Sequence, residues 1–102
     1  MQDEVQFSGD VVYWRGPSPY HFVRVPTRES QDLIELASLV SYGWGAISVA
    51  ARIESTAWNT SLLPKDGRYL LPLKGAVRKA ANVEIGDVVT VRLFVSMPSD
   101  VQ

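Results

Sequence analysis

The sequence predicts a mainly β fold, a small six-stranded barrel with two short helices, built as a single domain over residues 1–102. Three observations support this prediction. Six segments have the alternating or β-branched pattern of strands and are bounded by residues typical of turns. Two further segments repeat apolar residues at helical spacing. Closure of the sheet would remove the unpaired edges that an open sheet of this size exposes.

The first strand is predicted over residues 5–14, where apolar residues alternate with mostly polar ones. Gly9 in its middle has no side chain to pack, which indicates a bulge or a sharp bend. The segment Pro64-Lys65-Asp66-Gly67 is predicted to close a hairpin, and Gly86 to supply the positive φ of a type II turn. The remaining strands are predicted over residues 20–25, 47–53, 57–63, 68–71 and 88–96.

The first helix is predicted to have Thr27 as its N-cap and Glu29 in its first turn, where a negative charge meets the helix dipole favourably. We expect Gly43-Trp44-Gly45 to end it. Its predicted apolar face consists of Leu33, Ile34, Leu36, Ala37 and Val40.

The second helix is predicted to cover the open end of the barrel with one apolar stripe. Pro72 suits its first helical position, and Asn82 suits a left-handed exit. The stripe consists of Leu73, Ala76, Val77 and Ala80.

The composition of the chain excludes several classes of protein. The chain has no cysteine, a formal net charge of −1 and no apolar run that approaches a membrane span. The polar start MQDEVQ does not have the pattern of a secretory signal. We therefore expect a cytoplasmic protein without a membrane partner.

Catalytic and metal-binding patterns are weak. His21 is the single histidine, and no Gly-x-Ser-x-Gly motif surrounds any serine. A lone histidine with scattered acids does not have metal-ligand spacing. The sequence predicts no catalytic residue, no metal site and no cofactor.

Aromatic residues offer the first candidate for a binding site. Trp44 and Trp58, each near polar residues, are predicted to wall a pocket, to which Asn59 and Ser61 would contribute hydrogen bonds from one strand face. The alternative is that the aromatics pack in the core or at the rim, and that the polar pair forms an ordinary solvated face.

Basic residues offer the second candidate. Lys74 and Arg78 are four apart and share a helical face, and Lys79 follows them. Such a face is often merely solvated, and the functional alternative is that it holds an anion. We predict a small anionic ligand where Trp58, Asn59 and Ser61 meet this basic helix.

The segments FSGDVVYWRG, YHFVRVP, WGAISV, TSLLPKDGRYLLPLKGAVRKA and GDVVTVRL resemble a small prokaryotic family of domains of unknown function. Its members stand alone or precede a bacteriocin-protection-type segment. The resemblance implies a double-split β-barrel, the class that also contains AbrB-like transition regulators and similar antitoxins. LPLKGAVRKAANVEIGDVVTV is itself similar to the AbrB-like pattern of Leu-Pro, a basic helix, Gly-Asp and an apolar strand.

The resulting hypothesis is a non-catalytic binding or interaction module for a small anionic molecule. A nucleic-acid-binding, AbrB-like regulator ranks second, and an enzyme of unknown class ranks third. AbrB-like regulators build their DNA surface from two chains, whereas this sequence is long enough to supply both barrel halves. We expect a monomer or a weak dimer.

Overall fold

The computed structural model describes residues 3–15, 20–40 and 47–95. These residues form six strands and two helices, which confirms the predicted mainly β class. The strands are β1 (Asp3–Trp14), β2 (Tyr20–Arg24), β3 (Ile47–Ile53), β4 (Thr56–Lys65), β5 (Arg68–Leu73) and β6 (Val88–Val95), and the helices are α1 (Thr27–Val40) and α2 (Gly75–Ala81).

The strands close into an antiparallel barrel in the order β1-β2-β5-β4-β3-β6, with β6 returning to β1. The two longest strands each serve two partners in succession. β1 pairs with β6 over residues 3–10 and with β2 over residues 11–14. β4 pairs with β3 over residues 56–62 and with β5 over residues 63–65. These two changes of partner divide the barrel into two sheets that share β1 and β4.

The two halves of the chain repeat one order of elements, β1-β2-α1-β3 and then β4-β5-α2-β6. Their pairing registers match, as an approximate twofold rotation about the β2–β5 seam would give, and the pair Val23↔Leu71 lies at its centre. In this correspondence Val12↔Phe22 matches Leu63↔Leu70, and Trp14↔Tyr20 matches Lys65↔Arg68. One chain therefore supplies both barrel halves.

The core fills the barrel with alternate side chains of every strand, as period-two patterning requires. Leu33 of α1 and Val77 of α2 join this core from outside the sheet. In β6 the inward side chains are Val91, Leu93 and Val95, which are buried, and Val89, which packs against them.

The second helix begins later than the sequence predicts. Pro72 and Leu73 belong to β5, where they pair with Phe22 and His21 of β2, so neither lies on α2. Since β5 pairs with β4 only through residues 68–70, Pro72, which has no N–H, lies beyond that ladder.

The predicted apolar stripe of α2 is correspondingly reduced. Val77 is buried, whereas Ala76 and Ala80 are exposed. The predicted left-handed exit is confirmed, because Asn82 has φ 56° and ψ 52° and its N–H bonds to carbonyls of the last turn.

The first helix also differs at its start. Thr27 is already helical, and the Ser30 N–H donates to the Pro26 carbonyl at 2.8 Å, so Pro26 holds the cap position and the helix begins at Thr27, one residue earlier than predicted. Leu33 is buried as expected, but Ile34 is 46% exposed. The predicted break at Gly43-Trp44-Gly45 lies outside the described residues, as do the side chains predicted to continue the apolar face.

Two turns follow the predicted chemistry. β4 extends through Lys65, so the hairpin turn narrows to Asp66 and Gly67, both with positive φ, as a two-residue type I′ turn requires. Gly86 has φ 92°, and the Asp87 N–H donates to the Glu84 carbonyl at 3.1 Å, which confirms the turn before the last strand.

Gly9 is required by a close approach between strands. The β1–β6 register continues through it without a shift, so the predicted bulge is absent there. A Cβ at Gly9 would overlap the carbonyl oxygen of Arg24 and lie 2.9 Å from Cγ1 of Val23. The backbone of β2 therefore passes over β1 where only glycine fits.

We predict that Gly9→Ala lowers the free energy of unfolding by about 1 to 3 kcal/mol, because β2 must move away to admit the methyl group. Urea denaturation followed by tryptophan fluorescence measures the change. Gly75→Ala is the matched control, since among the described residues no atom beyond its chain neighbours and its own helix lies within 4 Å of the position that its Cβ would take. Equal stability of the two variants would contradict the close approach.

Candidate functional site

A cleft of about 380 Å³ lies on the outside of the barrel, where β1, β2, β5 and the β4–β5 hairpin meet. We call it the Trp14 cleft. Its apolar surface comes from Val12, Tyr13, Trp14, Phe22 and Leu70, and its charged groups come from Arg24, Lys65, Asp66 and Arg68.

The aromatic wall of the cleft is unusually open to solvent. Trp14 is 48% exposed and Tyr13 is 40% exposed, whereas Phe22 is buried. The Trp14 and Phe22 ring centroids are 6.3 Å apart and tilted by 48°, so Phe22 supports the indole from one side. The exposed part of the indole lines the cleft.

Two cations stand beside this wall. The Lys65 Nζ lies 5.1 Å from the centroid of the Trp14 ring, which is within the range of a cation–π contact. The Arg68 Nε donates to the Val25 carbonyl at 3.0 Å, and this bond holds the guanidinium at the cleft. The Asp66 Oδ2 lies 3.9 Å from the Lys65 Nζ, but both side chains are well exposed, so their attraction is weak.

Arg24 is occupied by Asp10 on the neighbouring strand. Its Nε and Nη2 donate to the two carboxylate oxygens at 3.2 and 2.6 Å. These hydrogen bonds lower the pKa of Asp10 below its ordinary value and raise the pKa of Arg24. Lys65 and Arg68 are therefore the cations of the cleft that this carboxylate does not neutralise.

The cleft owes its mixed chemistry to differences between the two halves of the chain. Trp14 and Lys65 occupy corresponding positions at the ends of β1 and β4, and Tyr20 corresponds to Arg68. The first half contributes aromatic rings where the second half contributes cations. Both sets meet across the β2–β5 seam.

The structure separates the polar and aromatic residues predicted for a site on β4. Trp58 is half-buried on the inner face and packs against the core, and its buried Nε1 has no hydrogen-bond partner in the described part of the chain. Asn59 and Ser61 lie on the opposite, outer face of the strand. Trp44 lies outside the described residues.

The predicted basic residues lie at the end of the barrel that α2 covers. Lys74 is exposed immediately before α2, and Arg78 is half-buried within it. Arg78 lines a cleft with His21 and Lys79, and Trp58, Asn59 and Ser61 do not line that cleft. The assignment of Trp44, Trp58, Asn59, Ser61, Lys74 and Arg78 to a ligand site stays a prediction.

Trp14, Lys65 and Arg68 were not predicted to form a site. Each is unremarkable alone, since Trp14 ends one strand and the two cations flank a hairpin turn. The available signal was their position on outward-facing rows of their strands. Without the pairing of β2 with β5, nothing in the sequence brings those rows side by side.

The model of the family described as Domain of unknown function (DUF1905) matches residues 7–93, so the chain belongs to that family. No curated protein shows significant similarity to the chain. In residues 3–15, 20–40 and 47–95, no helix is long and apolar enough to cross a membrane. The same residues contain no group of three or more His, Cys, Asp or Glu side chains placed to hold a metal ion.

We predict that Asp10→Asn destabilises the protein at neutral pH by up to about 1 kcal/mol, because it breaks an ion pair that is partly solvent-screened. The folded-state pKa of Asp10 is lowered, so its contribution is complete above the ordinary aspartate pKa and is lost as pH falls through the folded-state value.

Urea denaturation across the range from about pH 7 to pH 3 tests this sign. The difference between wild type and Asp10→Asn should shrink as the pH falls. Asp32→Asn, which removes an exposed acid of α1, is the control and should show little difference at any pH. A stability difference between wild type and Asp10→Asn that grows as the pH falls would contradict the stabilising role of the Asp10–Arg24 ion pair.

Proposed function

We propose that this barrel is a non-catalytic binding module that holds a small molecule with a planar ring and an anionic group in the Trp14 cleft. One observation carries the proposal. The Lys65 ammonium lies 5.1 Å from the ring centroid of a half-exposed tryptophan at the edge of an apolar cleft. Ring and cation are thus placed to contact two parts of one ligand.

The ring of such a ligand would stack on Trp14 and lie over Val12, Phe22 and Leu70. Burial of apolar area supplies affinity at about 25 cal/mol per Å², and an offset-stacked or edge-to-face aromatic pair adds about 0.5 to 1.5 kcal/mol. The volume of about 380 Å³ suits one or two fused rings with a short substituent.

The anionic group would lie toward Lys65 and Arg68. A guanidinium pairs with a carboxylate or a phosphate through two parallel hydrogen bonds, whereas an ammonium acts as a point charge. Asp66 at the hairpin turn opposes anions on its own side, which favours placement of the charge between Arg68 and Lys65. The ligand would therefore lie across the β2–β5 seam with its ring at Trp14 and its anionic group at Arg68 and Lys65.

The groups that line the cleft support binding better than catalysis. They are ring faces, aliphatic side chains and cations, with Asp66 as the acid among the described lining residues. Asp66 is exposed at a turn, where the environment does little to adapt a carboxylate for proton transfer.

We expect aromatic carboxylates and nucleoside monophosphates to bind, and the corresponding uncharged rings and inorganic phosphate to bind much more weakly at this cleft. Trp14→Ala should remove the contribution of the ring, and Lys65→Met that of the charge, each weakening affinity by about tenfold or more. Isothermal titration calorimetry measures the affinities. Native mass spectrometry of freshly purified protein shows whether a small molecule is retained.

Lys74→Met is the matched control for Lys65→Met, because it removes an exposed lysine that does not line this cleft. The Trp14 side chain is half exposed, so its removal should leave the fold intact, and a circular dichroism melt verifies this. Binding that is unchanged in both Trp14→Ala and Lys65→Met would overturn the proposal.

Nucleic-acid binding through α2 is the second candidate. It is favoured by the composition of this helix, which presents Arg78 and Lys79 and contains no acid. The net charge of −1 opposes it. If α2 contacted phosphates, affinity would fall steeply with salt, and replacement of both Arg78 and Lys79 by alanine would flatten that dependence.

Fluorescence anisotropy with labelled duplex DNA at about 50 and 200 mM salt distinguishes the two candidates. We expect no binding at physiological salt. Tight, salt-sensitive binding that is lost in the Arg78→Ala, Lys79→Ala double variant would reverse their order.

A further inference from the structure

A second cleft, of about 560 Å³, lies beside α2 and shares no lining residue with the Trp14 cleft. We call it the Arg78 cleft. Its basic groups are His21 of β2 and Arg78 and Lys79 of α2. The other lining residues are Gly75, Asn82, Val83, Glu84 and Ile85.

Arg78 has a donor that the described protein groups leave unsatisfied. Its side chain is half-buried, and its buried Nε has no hydrogen-bond partner in the described part of the chain. Buried donors in folded proteins are nearly always paired, because an unpaired one carries a desolvation penalty, which is larger on a charged group. An anion beside the guanidinium would offset part of this cost, because it stabilises a charge that is partly removed from water.

The other half of the barrel shows how this position can be closed. Ser30 corresponds to Arg78, since the N–H of each bonds to the carbonyl that precedes its helix, Pro26 and Lys74 respectively. The Ser30 hydroxyl is buried, donates to the Val25 carbonyl at 3.2 Å and accepts the Tyr69 N–H at 3.1 Å. In the first half this position is therefore filled by the Ser30 hydroxyl, which has both of its hydrogen-bond partners within the chain.

In the second half, cationic and ionisable groups occupy the matching place. His21 corresponds to Tyr69 through the register of β2 and β5. Burial of its imidazole and the charge of Arg78, in that order, lower the pKa of His21. The other groups around His21 are Lys79, the acid Glu84 and the Tyr13 ring, whose centroid is 4.7 Å from that of the imidazole.

We propose that the Arg78 cleft binds a phosphate-sized oxyanion, held by the Arg78 guanidinium with Lys79 and the His21 imidazole beside it. The two terminal nitrogens of the Arg78 guanidinium can bind two oxygens of a tetrahedral anion side by side. Lys79 adds charge, and the His21 N–H donates one more bond. Glu84 restricts access to the side away from its carboxylate.

Because His21 is the single histidine of the chain, its Cε1–H resonance is assigned without ambiguity and reports on this cleft. Sulfate is the first probe, since its charge stays constant across the titration range of imidazole. We expect sulfate to shift the resonance saturably and to raise the pKa of His21, because a bound anion favours imidazolium. Chloride at equal ionic strength should not reproduce either effect. Phosphate and acetate then compare oxyanion classes.

Arg78→Met keeps the aliphatic stem and removes the guanidinium, and should abolish the saturable sulfate shift. Without sulfate, it should also raise the pKa of His21 toward the ordinary value. Arg52→Met is the charge-matched control, because Arg52 lines a different cleft on β3. Trp14→Ala should leave the sulfate response intact, which keeps this test independent of the proposed function.

If Arg78→Met fails to fold, Arg78→Lys keeps a cation there and should weaken sulfate binding about tenfold through loss of the paired donors. The proposal is overturned if chloride gives the same response as sulfate. It is also overturned if sulfate binding is unchanged in the folded Arg78 variant.

Discussion

Closure of the barrel depends on the point at which β1 changes partner. At Val11, the backbone N–H donates to the Asp87 carbonyl and the carbonyl accepts the Gly86 N–H, both at 2.9 Å, so the turn before β6 holds β1 on one side. On the other side Val11 pairs with Val23 of β2. Two adjacent residues allow β2 to approach this closely: Gly9 has no side chain, and Asp10 pairs with Arg24. The seam between β2 and β5, and with it the Trp14 cleft, follows from that junction.

The matching registers of the two halves explain where function-bearing differences can arise. Inward positions in both halves are apolar, because the common core accepts little else. Outward positions and helix-facing positions have no such restriction. There the halves differ: Trp14 corresponds to Lys65, and Ser30 to Arg78. Both candidate sites lie at positions where the two halves have different residues. Both sites also lie over the one apolar core that the halves share.

Most of the fold could be predicted because its signals are local. Period-two alternation gave the strands, and Gly86, Asn82 and the Asp66-Gly67 turn marked chain reversals through backbone conformations that few residues adopt. The predicted start of α2 was wrong because Pro72 and Leu73 fit the pattern of a helix as well as that of a strand. Only their pairing with β2 assigns them to β5. The repeated arrangement of the two halves was not predicted, because it lies in the pairing registers and not in residue identity. The Trp14 cleft was missed for the same reason, since its residues are distant in sequence and meet only across the seam.

A ligand in either cleft would contact both halves of the barrel. In the Trp14 cleft it would join β1 and β2 to the β4–β5 hairpin, and in the Arg78 cleft it would join β2 to α2. The free energy of such binding adds directly to that of folding, by about 2.7 kcal/mol when free ligand is one hundred times its dissociation constant. An ordinary domain of about this size is stable by only about 5 to 15 kcal/mol. A bound ligand would therefore raise the free energy of unfolding of the whole barrel, because the two halves cannot separate without releasing it.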